Sequence, residues 1–404
     1  MPVFDPKRAQ EDCMNPEALS PQRYGFLAAL SATARVQLKL EGMGQNPVGL
    51  LEGPTSHFIP ISTEYLIGEA LQARTQFDVV EQTDMDNLLT SFFLFAAYGN
   101  LNKQNQAWFY LSQTIALAIS QNMHLESTYS GMEQEEVEER RRIYWLLFVT
   151  ERAYALQQMK PVTLQNSIRK PEVFHSRNPA LTYGFLALID LFDKLTPDFY
   201  RILCAENYEA PDKKKSISTT YRNLCESVPL LNEVSETQRV DILITQGWLQ
   251  IWLWKLAMAD LQRHSSEAVI PPNSPVLVGK SFMNIFASVS QSSMDAHGIG
   301  MEQKLFDVGT SVADLMALLP ARATHHLTTM IVDPKELLWG ILVSLSKIRG
   351  TESYLFPLLM DKSKDVLGIM DSSLHGGFPT APEMDQSEEL QDGQVAYTVN
   401  DSAG

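Results

Sequence analysis

Apolar residues recur along most of the chain at intervals of three and four, and the breaks between these stretches are short and carry Gly, Pro or Asn. That spacing puts apolar side chains on one face of a helix, and such punctuation separates packed helices. Strand-like alternation is scarce, so the predicted fold class is all-α, a large multi-helix array. Ser20-Pro21 marks a helix start, Ser20 as N-cap and Pro21 at the first helical position, and Phe26, Leu27, Leu30, Ala34, Leu38 and Leu40 carry it to Gly42. Residues 42–60 read as loop. Ser62 or Thr63 can cap a helix bearing Tyr65, Leu66, Ala70 and Leu71, and Thr83 with Asp86 three residues on resembles a capping box for the run Leu88 to Tyr98.

A polar junction at 100–106 leads into a stretch from Ala107 to Ile119 that is apolar nearly all round and belongs inside a core. Residues Glu133 to Gln158 open with acids and basic residues and pass into Ile143-Tyr144-Trp145-Leu146-Leu147-Phe148-Val149, the pattern of one long helix. Further helices are expected near 180–206, 217–232, 236–263, 274–296, 301–319, 334–348 and 351–369. No fixed-period repeat is visible. From Asp371 the text changes to Gly, Pro and seven acids without Lys or Arg, which predicts a disordered acidic tail over 371–404. The expected organisation is a flexible N-terminus over 1–15, a helical domain over 16–370 and that tail.

Composition changes this picture little, but charge and cysteine usage narrow the function. Of the 404 residues 45% are hydrophobic and 20% charged, ordinary for a soluble protein. No apolar run reaches the length of a bilayer span, and Met1 to Arg8 has no signal-peptide core, so an intracellular protein is expected. Cys13, Cys204 and Cys225 are too far apart in sequence for a C-x-x-C metal site or a disulfide framework. The net charge of −16 opposes direct DNA binding, which draws on Lys and Arg displacing counterions from phosphates.

No catalytic signature emerges. His325 and His326 are adjacent, which on a helix turns them apart, and neither an H-E-x-x-H pair, a phosphate-binding glycine loop nor a G-x-S-x-G elbow is present. No residue is therefore nominated as catalytic, cofactor-binding or metal-ligating, and the chain is read as a non-enzyme. Arg140-Arg141-Arg142 either contacts phosphate or lies on a solvated helix face, where Glu136–Arg140 and Glu138–Arg142 are favourable i, i+4 pairs. Lys213-Lys214-Lys215 reads as a loop, solvated or serving as an import signal. Arg152 follows an apolar run, so at least partial burial is expected, with an acidic or carbonyl partner; it braces helices or clamps a ligand's carboxylate or hydroxyls. Trp248, Trp252 and Trp254 at helical spacing read as core.

Two segments resemble the middle homology region of fungal regulators that carry a binuclear zinc cluster. One runs from Leu88-Leu89-Thr90-Ser91-Phe92-Phe93 through Gln104-Asn105-Gln106-Ala107-Trp108 to His124-Leu125-Glu126. The other is Glu139-Arg140-Arg141-Arg142-Ile143-Tyr144-Trp145-Leu146-Leu147-Phe148-Val149-Thr150-Glu151-Arg152, followed by Met159-Lys160-Pro161. The wording of these, with His297-Gly298-Ile299-Gly300-Met301-Glu302, is most similar to the maltose and amylase activator branch. The motif positions carried over are Arg140, Arg141, Arg142, Trp145, Phe148, Arg152 and Pro161. The six-cysteine cluster is absent from this sequence, so zinc would enter only with an upstream cluster, and Arg169-Lys170-Pro171 departs from the family pattern. The resemblance implies a nuclear transcription regulator of carbohydrate-utilisation or secondary-metabolite genes. It would act through coregulators or a full-length relative, with a possible small-molecule effector; a DNA-free modulator and a helical enzyme are the alternatives.

Overall fold

A computed structural model describes residues 3–38, 61–173, 176, 178–204, 213–227, 231–264, 269–318, 333–349 and 353–368. Among these residues the chain forms fifteen α-helices and no strand. They are α1 (Pro6–Cys13), α2 (Pro21–Gln37), α3 (Thr63–Arg74), α4 (Met85–Asn100), α5 (Gln104–Ser120), α6 (Gln134–Gln158), α7 (Pro179–Asp193) and α8 (Pro197–Cys204). There follow α9 (Lys213–Cys225), α10 (Glu236–His264), α11 (Ser274–Ser288), α12 (Gln291–Asp295), α13 (Ile299–Leu318), α14 (Pro334–Arg349) and α15 (Leu355–Leu367).

Local chemistry explains most of the starts. Ser20 Oγ accepts from the Arg23 N–H with Pro21 at the first position, as expected, and Ser62 Oγ accepts from Tyr65 N–H. The α4 cap is Asp84, whose carboxylate takes the Asn87 N–H at 2.8 Å, rather than Thr83. A carboxylate one residue nearer the helix is the stronger acceptor for the unpaired first-turn N–H groups and sits favourably at the positive end of the dipole. The stretch 180–206 divides into α7 and α8, because Pro197 starts a new helix, and 274–296 divides into α11 and α12, which Ser290 caps. Lys213-Lys214-Lys215 opens α9 instead of lying in a loop. The N-terminal segment forms α1, capped by Asp5, and Phe4 stacks edge-on against Phe26 and Phe93. The segment 42–60, His325, His326 and the tail 371–404 lie outside the described residues.

The helices pack in two connected groups. α2 lies on α3 and α4, and α4 on α5; Gly25 lets α2 approach α3, where an added Cβ would stand 3.4 Å from Ala73 Cβ. α10 is the axis of the second group and touches α7, α9, α11, α12 and α13, while α13 also meets α14 and α15. The helix α6 joins them through α5 on one side and α7 and α8 on the other. Trp145, Phe148, Trp248 and Phe282 are fully buried, and each such side chain contributes about 1.5–3 kcal/mol by leaving water. Trp254 is buried beside them and donates Nε1–H to Pro272 O at 3.0 Å. No described helix is long and apolar enough to cross a membrane.

Candidate functional site

The long helix α6 does something beyond packing: its side chains hold an extended strap, residues 160–173, along its length. Met159 ends the helix in the left-handed conformation at φ 50°, which turns the chain back at Lys160-Pro161. From there the strap has no ladder partner, so its backbone groups must find side chains. Glu151 supplies two acceptors, taking the N–H of Thr163 at 2.7 Å and of Leu164 at 2.9 Å. Arg152 Nη1 donates to Leu164 O at 3.0 Å, and Tyr144 OH donates to Gln165 O at 2.6 Å. Trp145 Nε1 donates to Arg169 O at 2.9 Å.

The far end is held by carboxylates. Glu126 Oε2 accepts from Arg169 N–H and Glu138 Oε2 from Glu172 N–H, both at 2.9 Å. Arg141 sits between these two acids, 2.6 Å from Glu126 and 3.2 Å from Glu138, with its guanidinium over the Tyr129 ring. Lys170 adds ion pairs to Asp190 and Asp193 of α7. Successive strap positions therefore meet α6 in reverse order, 163 beside 151 and 172 beside 138.

Burial sets the electrostatics at the centre. Arg152 is 2% exposed, and its Cζ lies 3.4 Å from the Phe148 ring centroid. Burial pushes the Arg152 guanidinium down from its ordinary value, with Tyr200 and Glu151 the main opposing influences. Burial likewise pushes the Glu151 carboxyl up, against the two strap N–H groups and Arg152, which lower it. Each charge is dear to bury alone, and the pair with its backbone partners makes it tolerable.

The structure separates the seven motif residues by role. Trp145, Phe148 and Arg152 come together, the rings 4.8 Å apart, at the centre of the lace. Arg141 joins the acids at the strap's far end, and its burial corrects the reading of the arginine run as one solvated face. Arg140 does pair with Glu136 at i+4, on the surface. Glu138, expected to face Arg142, is turned toward Arg141 and the strap. Arg142 is half-buried, and Pro161 is exposed at the turn. Glu151, Glu126 and Tyr144 were given no role from sequence, and Glu138 only that of a partner for Arg142. An acid directly after a run of eight residues with only Thr150 polar was the available signal for Glu151, since such a carboxylate needs donors. The side chains here are committed to the strap backbone and to one another, a geometry that holds chain, and the described residues hold no group of three metal-ligating side chains.

Comparison with known proteins finds similarity over the segment that contains the strap and over much of the chain. The model of the fungal specific transcription factor domain matches residues 54–175, from ahead of α3 to the end of the strap. The chain is 24% identical to the probable sucrose utilization protein SUC1 of Candida albicans over 87% of its own length and 71% of that protein. It is 23% identical to the maltose fermentation regulatory protein MAL13 of Saccharomyces cerevisiae over 72% of its length and 60% of that protein. The respiratory transcription factor ZNF1 of the same yeast matches at 21% over 83% of this chain and 68% of its own length. No solved structure matches.

Proposed function

We propose that this chain, which carries a fungal specific transcription factor domain, is the regulatory part of a nuclear transcription regulator for carbohydrate use, working through partners and without catalysis. The reading is supported by relatives named for sucrose utilisation and maltose fermentation, aligned over most of the chain. The observation that carries it is that the matched segment ends with the strap that α6 holds. An extended segment held by side-chain hydrogen bonds has a second, released arrangement within reach, and a ligand or partner that prefers one arrangement shifts the balance by its differential affinity. Residues 16–370 act as one regulatory unit in this reading, and Arg152 with Trp145 and Phe148 is its latch.

The test fuses the chain to an unrelated DNA-binding domain and reads a reporter gene in yeast grown with and without a disaccharide. The expected result is sugar-dependent output for the native chain and altered dependence for Arg152→Met, with both proteins present at equal level. Output indifferent to carbon source and to the latch substitution would sink the regulatory reading. A DNA-free modulator that binds a metabolite or corepressor is the second reading, favoured by the net charge of −16, which opposes binding to a polyanion. It predicts that overproducing the unfused chain changes the output of a full-length relative.

A further inference from the structure

Helix α9 carries Lys213, Lys214, Lys215 and Arg222 and no acid, in a chain of net charge −16. Its inner face is fixed by packing. Ile217 and Leu224 are buried, and Tyr221 OH lies 3.0 Å from Ser274 Oγ. Gln246 of α10 donates from Nε2 to Leu224 O at 2.6 Å and to Ser227 O at 2.8 Å. Lys214, Lys215 and Arg222 are left exposed, and among the described residues none of them pairs with a carboxylate, Glu226 included. Lys213 differs, being half-buried with a partner of its own.

The hydroxyl at the middle of these cations is that of Ser218. Residues three and four apart are neighbours on a helix, so Lys214 at i−4, Lys215 at i−3 and Arg222 at i+4 all border it. Thr219 borders two of the three, and Ser216 and Thr220 border none. Hydroxyls inside the other helices turn back to the carbonyl four residues before, as those of Thr90, Ser91, Thr114 and Ser363 do. Ser218 is half-buried and makes no such bond, and its Oγ has no partner among the described residues.

We propose that Ser218 is a phosphorylation site, the acceptor for a protein kinase that reads basic residues ahead of a serine. Kinases choose substrates by complementary charge, and an acidic substrate groove takes a basic residue three positions before the acceptor. For Ser218 that residue is Lys215, exposed and unpaired, whereas for Ser216 it is Lys213, already engaged. Ile217 is the one buried side chain in the first two turns of α9, so these turns open at small cost to enter such a groove in extended form. In the transfer Ser218 Oγ attacks the γ-phosphorus of ATP, the bond from that phosphorus to the bridging oxygen breaks, and ADP leaves. The hydroxyl proton passes to the kinase's catalytic aspartate. The product adds a charge of about −1.5 to −2 among three cations that lack an anion, and it offsets the basic first turn that opposes the helix dipole. Modification therefore stabilises the first two turns of α9. The site rests on α9 alone and stands whether or not the strap regulates transcription.

The experiment incubates the purified full chain with ATP, magnesium and the catalytic subunit of cyclic-AMP-dependent protein kinase, which reads basic residues, and in parallel with a casein kinase that reads acidic ones. Fragment mass spectrometry should place phosphate on Ser218 with the first enzyme and not with the second. Ser218→Ala should remove it, and Lys215→Gln should lower kcat/KM for the transfer roughly tenfold. In the phosphorylated chain the amides of residues 218–222 should exchange roughly threefold more slowly, an effect that fades at about 1 M salt. Ser218→Asp should reproduce part of that slowing without any kinase. Ser218 left unmodified, phosphate on Ser216 or Thr219 in its place, or phosphate on Ser218 that leaves exchange in α9 unchanged would each overturn the proposal.

Discussion

Glu151 is asked to do what a neighbouring β-strand does elsewhere, to accept the N–H groups of two consecutive extended residues. A glutamine in its place keeps one acceptor oxygen and presents an NH2 to the second donor. Glu151→Gln should therefore cost about 1–3 kcal/mol, the usual penalty for a buried donor left without its partner. Hydrogen exchange locates the loss: the amides of Thr163 and Leu164 should exchange faster, while those of Arg169 and Glu172, held by Glu126 and Glu138, keep their protection. Uniform acceleration along the strap would show instead that it opens as one piece. Glu236 gives a second residue-scale prediction. It accepts from Ser290 OH, Ser293 OH and Ser290 N–H, which hold its carboxyl down at about 2 from an ordinary 4.5. A depressed folded value means the contact stabilises fully above the unfolded value and is lost as pH falls from 4.5 toward 2. Carboxyl carbon resonances recorded against pH should place its midpoint near that lower figure, and Ser290→Ala should move it upward.

Helices were legible in the sequence where apolar periodicity was long, and this is why α6 and α10 could be read nearly to their ends. Breaks inside apolar stretches were not, because Pro197 and Ser290 start helices as readily as they interrupt a periodic run. The lysines of α9 misled for a related reason: a basic first turn opposes the helix dipole, and the tertiary contacts of Ile217 and Leu224 outweigh it. Arg152 was legible as an at least partly buried cation needing an acidic or carbonyl partner, since it follows an apolar run, and the partner is the Leu164 carbonyl. The strap was not legible, because its order comes from single contacts to residues up to 43 positions away, which leave no period in the sequence. Between elements, Gly247 leaves no room: an added Cβ would stand 2.7 Å from a Phe282 ring carbon and 3.0 Å from Val278 Cγ1. Both neighbours are buried, so α10 and α11 would have to separate. Overpacking of this kind costs about 1–3 kcal/mol, more than the helix propensity Ala gains. Denaturant unfolding of Gly247→Ala should show the net loss, and a stabilised variant would mean that the α10–α11 interface has slack.

At the scale of the molecule, charge and connection decide what the chain does by itself. With 48 acidic against 32 basic residues the field is repulsive to a polyanion, so the purified chain should show no measurable affinity for duplex DNA at 0.15 M salt in fluorescence anisotropy. Saturable binding there would demand a basic surface that the net charge conceals. Besides α6, the two helical groups meet directly at the end of α2. Gln37 at the end of α2 donates its Nε2–H to Ala296 O at 3.0 Å, and Gly298 lies against Gln37 and Asn100. Gly298 has φ 54°, and an added Cβ would stand 3.0 Å from Gln37 Cγ. Gly300, two residues on and inside α13, has nothing within 4 Å of the same position. The pair makes a controlled comparison of strain at the junction. Gly298→Ala should lose about 1–2 kcal/mol through the left-handed backbone alone, with the Gln37 contact disturbed besides. Gly300→Ala should be neutral or gain up to about 1 kcal/mol. If the two groups transmit strain to each other through this junction, Gly298→Ala will also speed amide exchange in α2 and α4, whereas Gly300→Ala will leave it unchanged. Loss confined to α13 would make the junction a passive contact and leave α6 as the route between the groups.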